Sequence, residues 1–147
     1  MPLFKYQRAT TSGPNGATLY FRNAEAAPRA TELAEVTGWH YVFAPDAAAL
    51  PEQPAEINWQ PVTLDDPLRE QIKAASRAVH LIFAQMQQRI RGTYTIEDEQ
   101  YFSRIGVGAA LGVYTFQPGE MDALRAFGAH VEAVRQWGKA QRLEIGL

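Results

Sequence analysis

The chain has no cysteine in its 147 residues. That removes disulfides, thiolate nucleophiles and cysteine-ligated zinc together. It also suits folding in a reducing cytoplasm, since small extracellular domains commonly rely on disulfides. A basic excess is missing too: fourteen Lys and Arg are scattered among sixteen Asp and Glu, for a formal net charge of −2. Phosphates are met by clustered cations, so no nucleic-acid partner is expected. Long apolar runs are lacking as well. The longest weakly polar stretch, Ile105 to Phe116, carries three glycines and is shorter than the roughly 18 to 20 residues that cross a bilayer. No membrane partner is expected. The opening Met1-Pro2-Leu3-Phe4-Lys5-Tyr6 lacks a basic stretch followed by an apolar run and does not read as a signal peptide.

What is present is globular in character. Hydrophobic residues make up 46% and charged residues 20%, which argues against disorder of the whole chain. The length suffices for one domain or two small subdomains sharing a core.

The pattern predicts an α+β fold: antiparallel β-hairpins at the N-terminus, a proline-rich extended linker, and a C-terminal helical hairpin of two to three helices. The expected boundaries are 1–44 for the β-rich part, 45–64 for the strap and 65–147 for the helical part. Leu3 to Gln7 alternates apolar and polar residues, the period of a half-buried strand. Ser12-Gly13-Pro14-Asn15-Gly16 is dense in turn formers and leads to β-like Ala17 to Phe21, so these two runs are expected to pair. Asn23 to Ala30 reads as a loop. Leu33 to Val36 and Trp39 to Phe43 flank Thr37-Gly38 as a second hairpin. Trp39, Tyr41 and Phe43 would share one face of its second strand, and His40 and Val42 the other. A sheet of two hairpins is marginal alone, so residues 1 to about 60 are expected to gain order from a partner. Pro45, Pro51, Pro54 and Pro61 exclude regular helix and central strand between them.

Asp66 before Pro67 reads as an N-cap with proline at the first helical position. Leu68, Ile72, Ala75, Val79, Ile82, Phe83, Met86 and Ile90 then form one apolar stripe, stopped by Gly92. Thr95 opens a second helix, with Glu97, Asp98 and Glu99 in its first turn. Gly106, Gly108 and Gly112 weaken it, and it is expected to end between Ile105 and Leu111. Pro118 restarts a helix with a stripe of Met121, Leu124, Phe127, Val131, Val134 and Trp137. The tail from Lys139 is expected to fray unless Leu143, Ile145 and Leu147 dock.

Chemistry-bearing patterns are weak. His40, His80 and His130 show no metal-ligand spacing and read as surface or helix-flank residues. Glu97-Asp98-Glu99 points in several directions around a helix and suits the helix dipole better than a cation. Gly106-x-Gly108-x-x-x-Gly112 matches neither a dinucleotide nor a phosphate loop. No G-x-S-x-G elbow exists. No catalytic, cofactor or metal residues are assigned, and an enzyme is not expected. The candidates for partner binding are large amphipathic or apolar side chains of the kind found at interface hot spots: Ile57, Trp59, Trp39, Tyr41 and Trp137. The aromatic ones would also serve a small core. Ile57 and Trp59, lying between prolines, would anchor the strap in a groove of this protein or of a neighbour.

The last two thirds of the chain carry Leu50-Pro51-Glu52-Gln53-Pro54, Leu68-Arg69-Glu70-Gln71-Ile72-Lys73-Ala74-Ala75-Ser76, Arg89-Ile90-Arg91-Gly92-Thr93-Tyr94-Thr95-Ile96-Glu97-Asp98-Glu99, and the ending Trp137-Gly138-Lys139-Ala140 with Gly146-Leu147. With these pieces the chain resembles small accessory proteins encoded among the tail genes of tailed bacteriophages, of which the Ile-Glu-Asp-Glu block is the most distinctive element. It departs from that pattern between Gly106 and Thr115, where an apolar glycine-rich segment replaces a polar helical continuation. The resemblance implies a virion structural protein, made in the host cytoplasm and bound in several copies to other phage tail proteins in the distal tail, baseplate or fibre-attachment region. An assembly chaperone for tail or fibre subunits, or a phage-encoded inhibitor of a host protein, are the alternatives.

Overall fold

A computed structural model describes residues 3–11, 16–26, 28–46 and 51–147. Among the described residues six strands precede four helices: β1 (Leu3–Tyr6), β2 (Ala9–Thr10), β3 (Thr18–Leu19), β4 (Thr31–Val36), β5 (Trp39–Phe43), β6 (Gln60–Val62), α1 (Asp66–Ala75), α2 (Arg77–Arg91), α3 (Ile96–Ala110) and α4 (Glu120–Glu144). The fold is therefore mixed α+β with N-terminal antiparallel strands, and it has four helices where two to three were expected. The chain gathers into two compact units, residues 1–80 with 142–147, and residues 81–141.

In the first unit an antiparallel sheet has the order β4-β5-β1-β6. The β4–β5 hairpin turns at Thr37-Gly38, as the sequence predicts, with Val36 opposite Trp39. Both turn residues have positive φ, 51° and 79°, the handedness that matches strand twist in a two-residue hairpin. The expected pairing of Leu3–Gln7 with Ala17–Phe21 is not formed. β1 instead lies between β5 and β6, and the small first ribbon is β2 with β3. The reason is burial: Leu3 faces one core and Tyr6 the other, so β1 has apolar surface on both faces and belongs inside a sheet. Of the predicted turn from Ser12 to Gly16, Ser12 to Asn15 lie outside the described residues, as do Met1, Pro2, Ala27 and Ala47 to Leu50.

The sheet is packed on both faces. On one, Leu3, Leu33, Ala34, Tyr41 and Phe43 meet Ile72, Val79 and Leu147. On the other, Tyr6, Ala30, Val42 and Ala44 meet Ile57, with Phe4, Leu19, Phe21 and Trp59 around them. β5 alternates between these cores as its sequence predicts. The support for the sheet thus comes from this chain's own β6, α1 and C-terminal residues.

The stripe from Leu68 to Ile90 is expected to be one helix; it is two. Ser76 is fully buried and extended, at φ −76° and ψ 117°. Its Oγ accepts from Val79 N at 3.4 Å and its carbonyl from His80 N at 3.0 Å. A serine that satisfies the first N–H groups of a new helix competes with continuation of the old one. The N-cap of α1 is Asp65, not Asp66, since the Asp65 carboxylate accepts from Leu68 N at 2.9 Å. Phe83, placed in the stripe by spacing, is exposed, as is Leu81.

The second unit holds most of α2 and α4, and all of α3. Thr95 and Asp98 form a reciprocal capping box at the start of α3. Arg91 pairs with Glu99 at 2.5 Å. Tyr94, Phe102 and Phe127 form an aromatic cluster, with Phe102 stacked on Phe127 at 5.1 Å. Ile105 and Val134 are also buried. The tail does not fray at Lys139: α4 reaches Glu144, and in the first unit Ile145 and Leu147 pack against the sheet's core. Leu143 stays exposed.

Candidate protein-interaction surface

The end of α3 carries three large apolar side chains that the second unit leaves in solvent: Val107, Leu111 and Val113 are 59%, 72% and 80% exposed. Val107 and Leu111 stand one helical turn apart, on the same side. The chain then reverses in a tight cap. Leu111 N donates to Val107 O at 3.0 Å, Gly112 N to Ala109 O at 3.0 Å, and Val113 N and Tyr114 N both donate to Gly108 O, at 2.9 and 3.1 Å. Gly112 takes φ +71°, which L side chains resist. A β-carbon on Gly108 would stand 2.9 Å from Tyr114 Cβ, so that glycine permits the reversal to close.

A polar clasp holds the far side of this turn. The Glu120 carboxylate accepts from the Tyr101 hydroxyl, from the Tyr114 hydroxyl at 2.8 and 2.9 Å to its two oxygens, and from Gln117 N at 2.7 Å. The hydrogen bond from Tyr101, followed by that from Gln117, lowers the Glu120 pKa. The same bond raises Tyr101 from 10.0 to about 12, and Glu120 also raises Tyr114. One carboxylate thus joins α3, the loop and the first turn of α4. Binding to a preformed surface forfeits less conformational entropy than binding to a mobile one.

The residues singled out from sequence lie elsewhere. Ile57 is 4% exposed and sits in the second core of the sheet. Trp59 is half-buried against Phe4 at 4.2 Å and Phe21 at 5.6 Å. Tyr41 is buried in the first core, and Trp39 packs at its margin beneath the Lys5 ammonium, 4.4 Å from the ring centroid. Trp137 lies in the other unit under the Arg89 guanidinium at 4.0 Å. The first four belong to the sheet's unit but are divided between its two cores. From the sequence, Gly106, Gly108 and Gly112 are expected only to weaken the helix and end it between Ile105 and Leu111. The signal for the knuckle was the apolar spacing Val107, Leu111, Val113 among those glycines.

His40 is the other departure. It is buried, not on the surface: its ring stacks on Tyr6 at 5.1 Å, with Nδ1 2.8 Å from Glu32 and Nε2 3.6 Å from Glu35. The Tyr6 hydroxyl donates to Glu32 at 3.4 Å, and burial raises the Tyr6 phenol above 10.0. His80 is exposed and His130 lies near the Arg89 carbonyl at 3.2 Å. A depression of about 210 Å³ lies at the end of the sheet between Arg8, Trp39, Glu56 and Asn58, below the roughly 300–1,000 Å³ of ordinary small-molecule sites. Among the described residues no group of three or more acidic or histidine side chains converges as a metal site, and no helix is long and apolar enough to cross a membrane.

No family model matches the chain, and no curated protein or solved structure matches it significantly.

Proposed function

We propose that this chain is a small structural adaptor of a tailed bacteriophage, bound in several copies to other tail proteins in the distal tail, baseplate or fibre-attachment region, and that it acts by binding and not by catalysis. The observation that carries an adaptor role is the exposed apolar knuckle of Val107, Leu111 and Val113 on a hydrogen-bonded cap. Single exposed apolar side chains are ordinary, but three clustered on a preformed cap are what partner surfaces use. The sequence resemblance of residues 50–54, 68–76, 89–99, 137–140 and 146–147 to tail accessory proteins supports the location.

Mass spectrometry of gradient-banded particles of the encoding phage tests the reading. Presence at a fixed ratio to a tail protein is expected. Replacing Leu111 and Val113 by serine should leave the stability of the isolated chain within about 0.5 kcal/mol and remove it from particles. Absence of the wild-type chain from particles while it is plentiful in the lysate would overturn the reading in favour of an assembly chaperone or a host-directed inhibitor.

A further inference from the structure

The sheet has two unlike edges. β6 is three residues long and contains Pro61, which has no N–H to offer. β4 has six residues, without proline or lysine, and among the described residues it pairs with β5 alone. An edge strand presents unpaired main-chain donors and acceptors to any extended segment that reaches it.

The side chains along β4 select which segment. A β-bulge falls between Glu32 and Ala34. It turns both Leu33 and Ala34 into the same core. As a result Glu32 lies opposite Val42 and Glu35 opposite His40, two β5 residues that share a face. The bulge thus compresses two carboxylates that are three residues apart into the spacing of residues i and i+2 on a regular strand. Both side chains are about half-exposed, at 43% and 55%; His40 with Tyr6 steadies Glu32 and lies 3.6 Å from Glu35, and the Arg8 guanidinium, 3.9 Å from Glu32, is the internal cation that an added strand would displace or share. A second copy fits poorly: the two-fold antiparallel pairing of β4 with itself sets Glu32 against Glu35, and like charges directly opposite destabilise a sheet.

We infer that the β4 edge accepts an extended segment of another protein with a basic-x-basic pattern, which adds as a fifth strand and sets its cationic side chains over Glu32 and Glu35. This rests on the adaptor reading for its biological setting, but the site is distinct from the α3 knuckle.

The test titrates a short peptide of alternating lysine and valine into the full chain and follows amide hydrogen exchange. New protection confined to Thr31–Val36 is expected. Exchanging Glu32 and Glu35 for glutamine should weaken binding about tenfold, from two cross-strand charge pairs. Glu35→Gln alone keeps the readout should the double variant unfold. The same peptide with alternate amides N-methylated should not bind, because strand addition needs those donors. Protection elsewhere, equal binding of the N-methylated peptide, or concentration-dependent self-protection of β4 without peptide would overturn the inference. Peptide binding by a chain that is absent from particles would overturn the tail reading and leave this one standing. A chain present in particles that does not bind the peptide would overturn this one alone.

Discussion

Met86 of α2 lies directly against the main chain of Gly138 on α4: a β-carbon at position 138 would overlap Met86 Sδ and stand 3.0 Å from both its Cγ and its Cε. The obstacle is a flexible thioether side chain, which can swing aside. Gly138→Ala should therefore change stability by less than about 1 kcal/mol, since overlap is offset by the helix propensity alanine gains. Gly138→Leu should cost about 1–3 kcal/mol, and most of that should return when Met86→Ala clears the space. Urea denaturation of the single and double variants measures the coupling.

The Tyr101 phenol is held protonated by Glu120, at about 12 in place of 10.0. The folded chain therefore binds this proton more tightly than the unfolded one. The linked stability is complete below the unfolded value near 10.0 and is lost as pH rises toward about 12. Glu120→Gln should bring Tyr101 back toward its ordinary value, seen as tyrosinate absorbance at lower pH, and Tyr101→Phe identifies the signal. An unshifted titration in Glu120→Gln would sever Glu120 from the clasp.

Ser76 divides α1 from α2 with its side chain wholly buried. Ser76→Ala should cost about 1–2 kcal/mol, because the Val79 N–H loses its capping oxygen. Helix content by circular dichroism should hardly change, while the unfolding midpoint falls.

Thr37 is a β-branched residue at φ 51° in the β4–β5 turn. Asparagine tolerates that region better, so Thr37→Asn should stabilise the chain by about 0.5–1 kcal/mol. Gly38→Ala, at φ +79°, should do the opposite. Thermal melts of the two variants decide it.

What the sequence makes legible is local. Thr37-Gly38 between two apolar runs yields the β4–β5 hairpin; Thr95 followed by Asp98 yields the start of α3. Each feature depends on residues within one turn of each other. The candidate surface was less legible. Tyr41 and Ile57 look like anchors because they are apolar, but period and propensity do not say what covers an apolar face, and here this chain's own core does.

Composition and turn chemistry by themselves determined that strands come first and helices after, and where Gly92 and Thr95 separate α2 from α3. Tertiary structure decided that β1 leaves its sequence neighbour to lie between β5 and β6, that one apolar stripe breaks at Ser76, and that Val107, Leu111 and Val113 remain outside. The reason is the same in each case. Local bonds are specified by adjacent residues, whereas burial is a competition among distant segments for the same apolar surface, and its outcome is not written in any one of them.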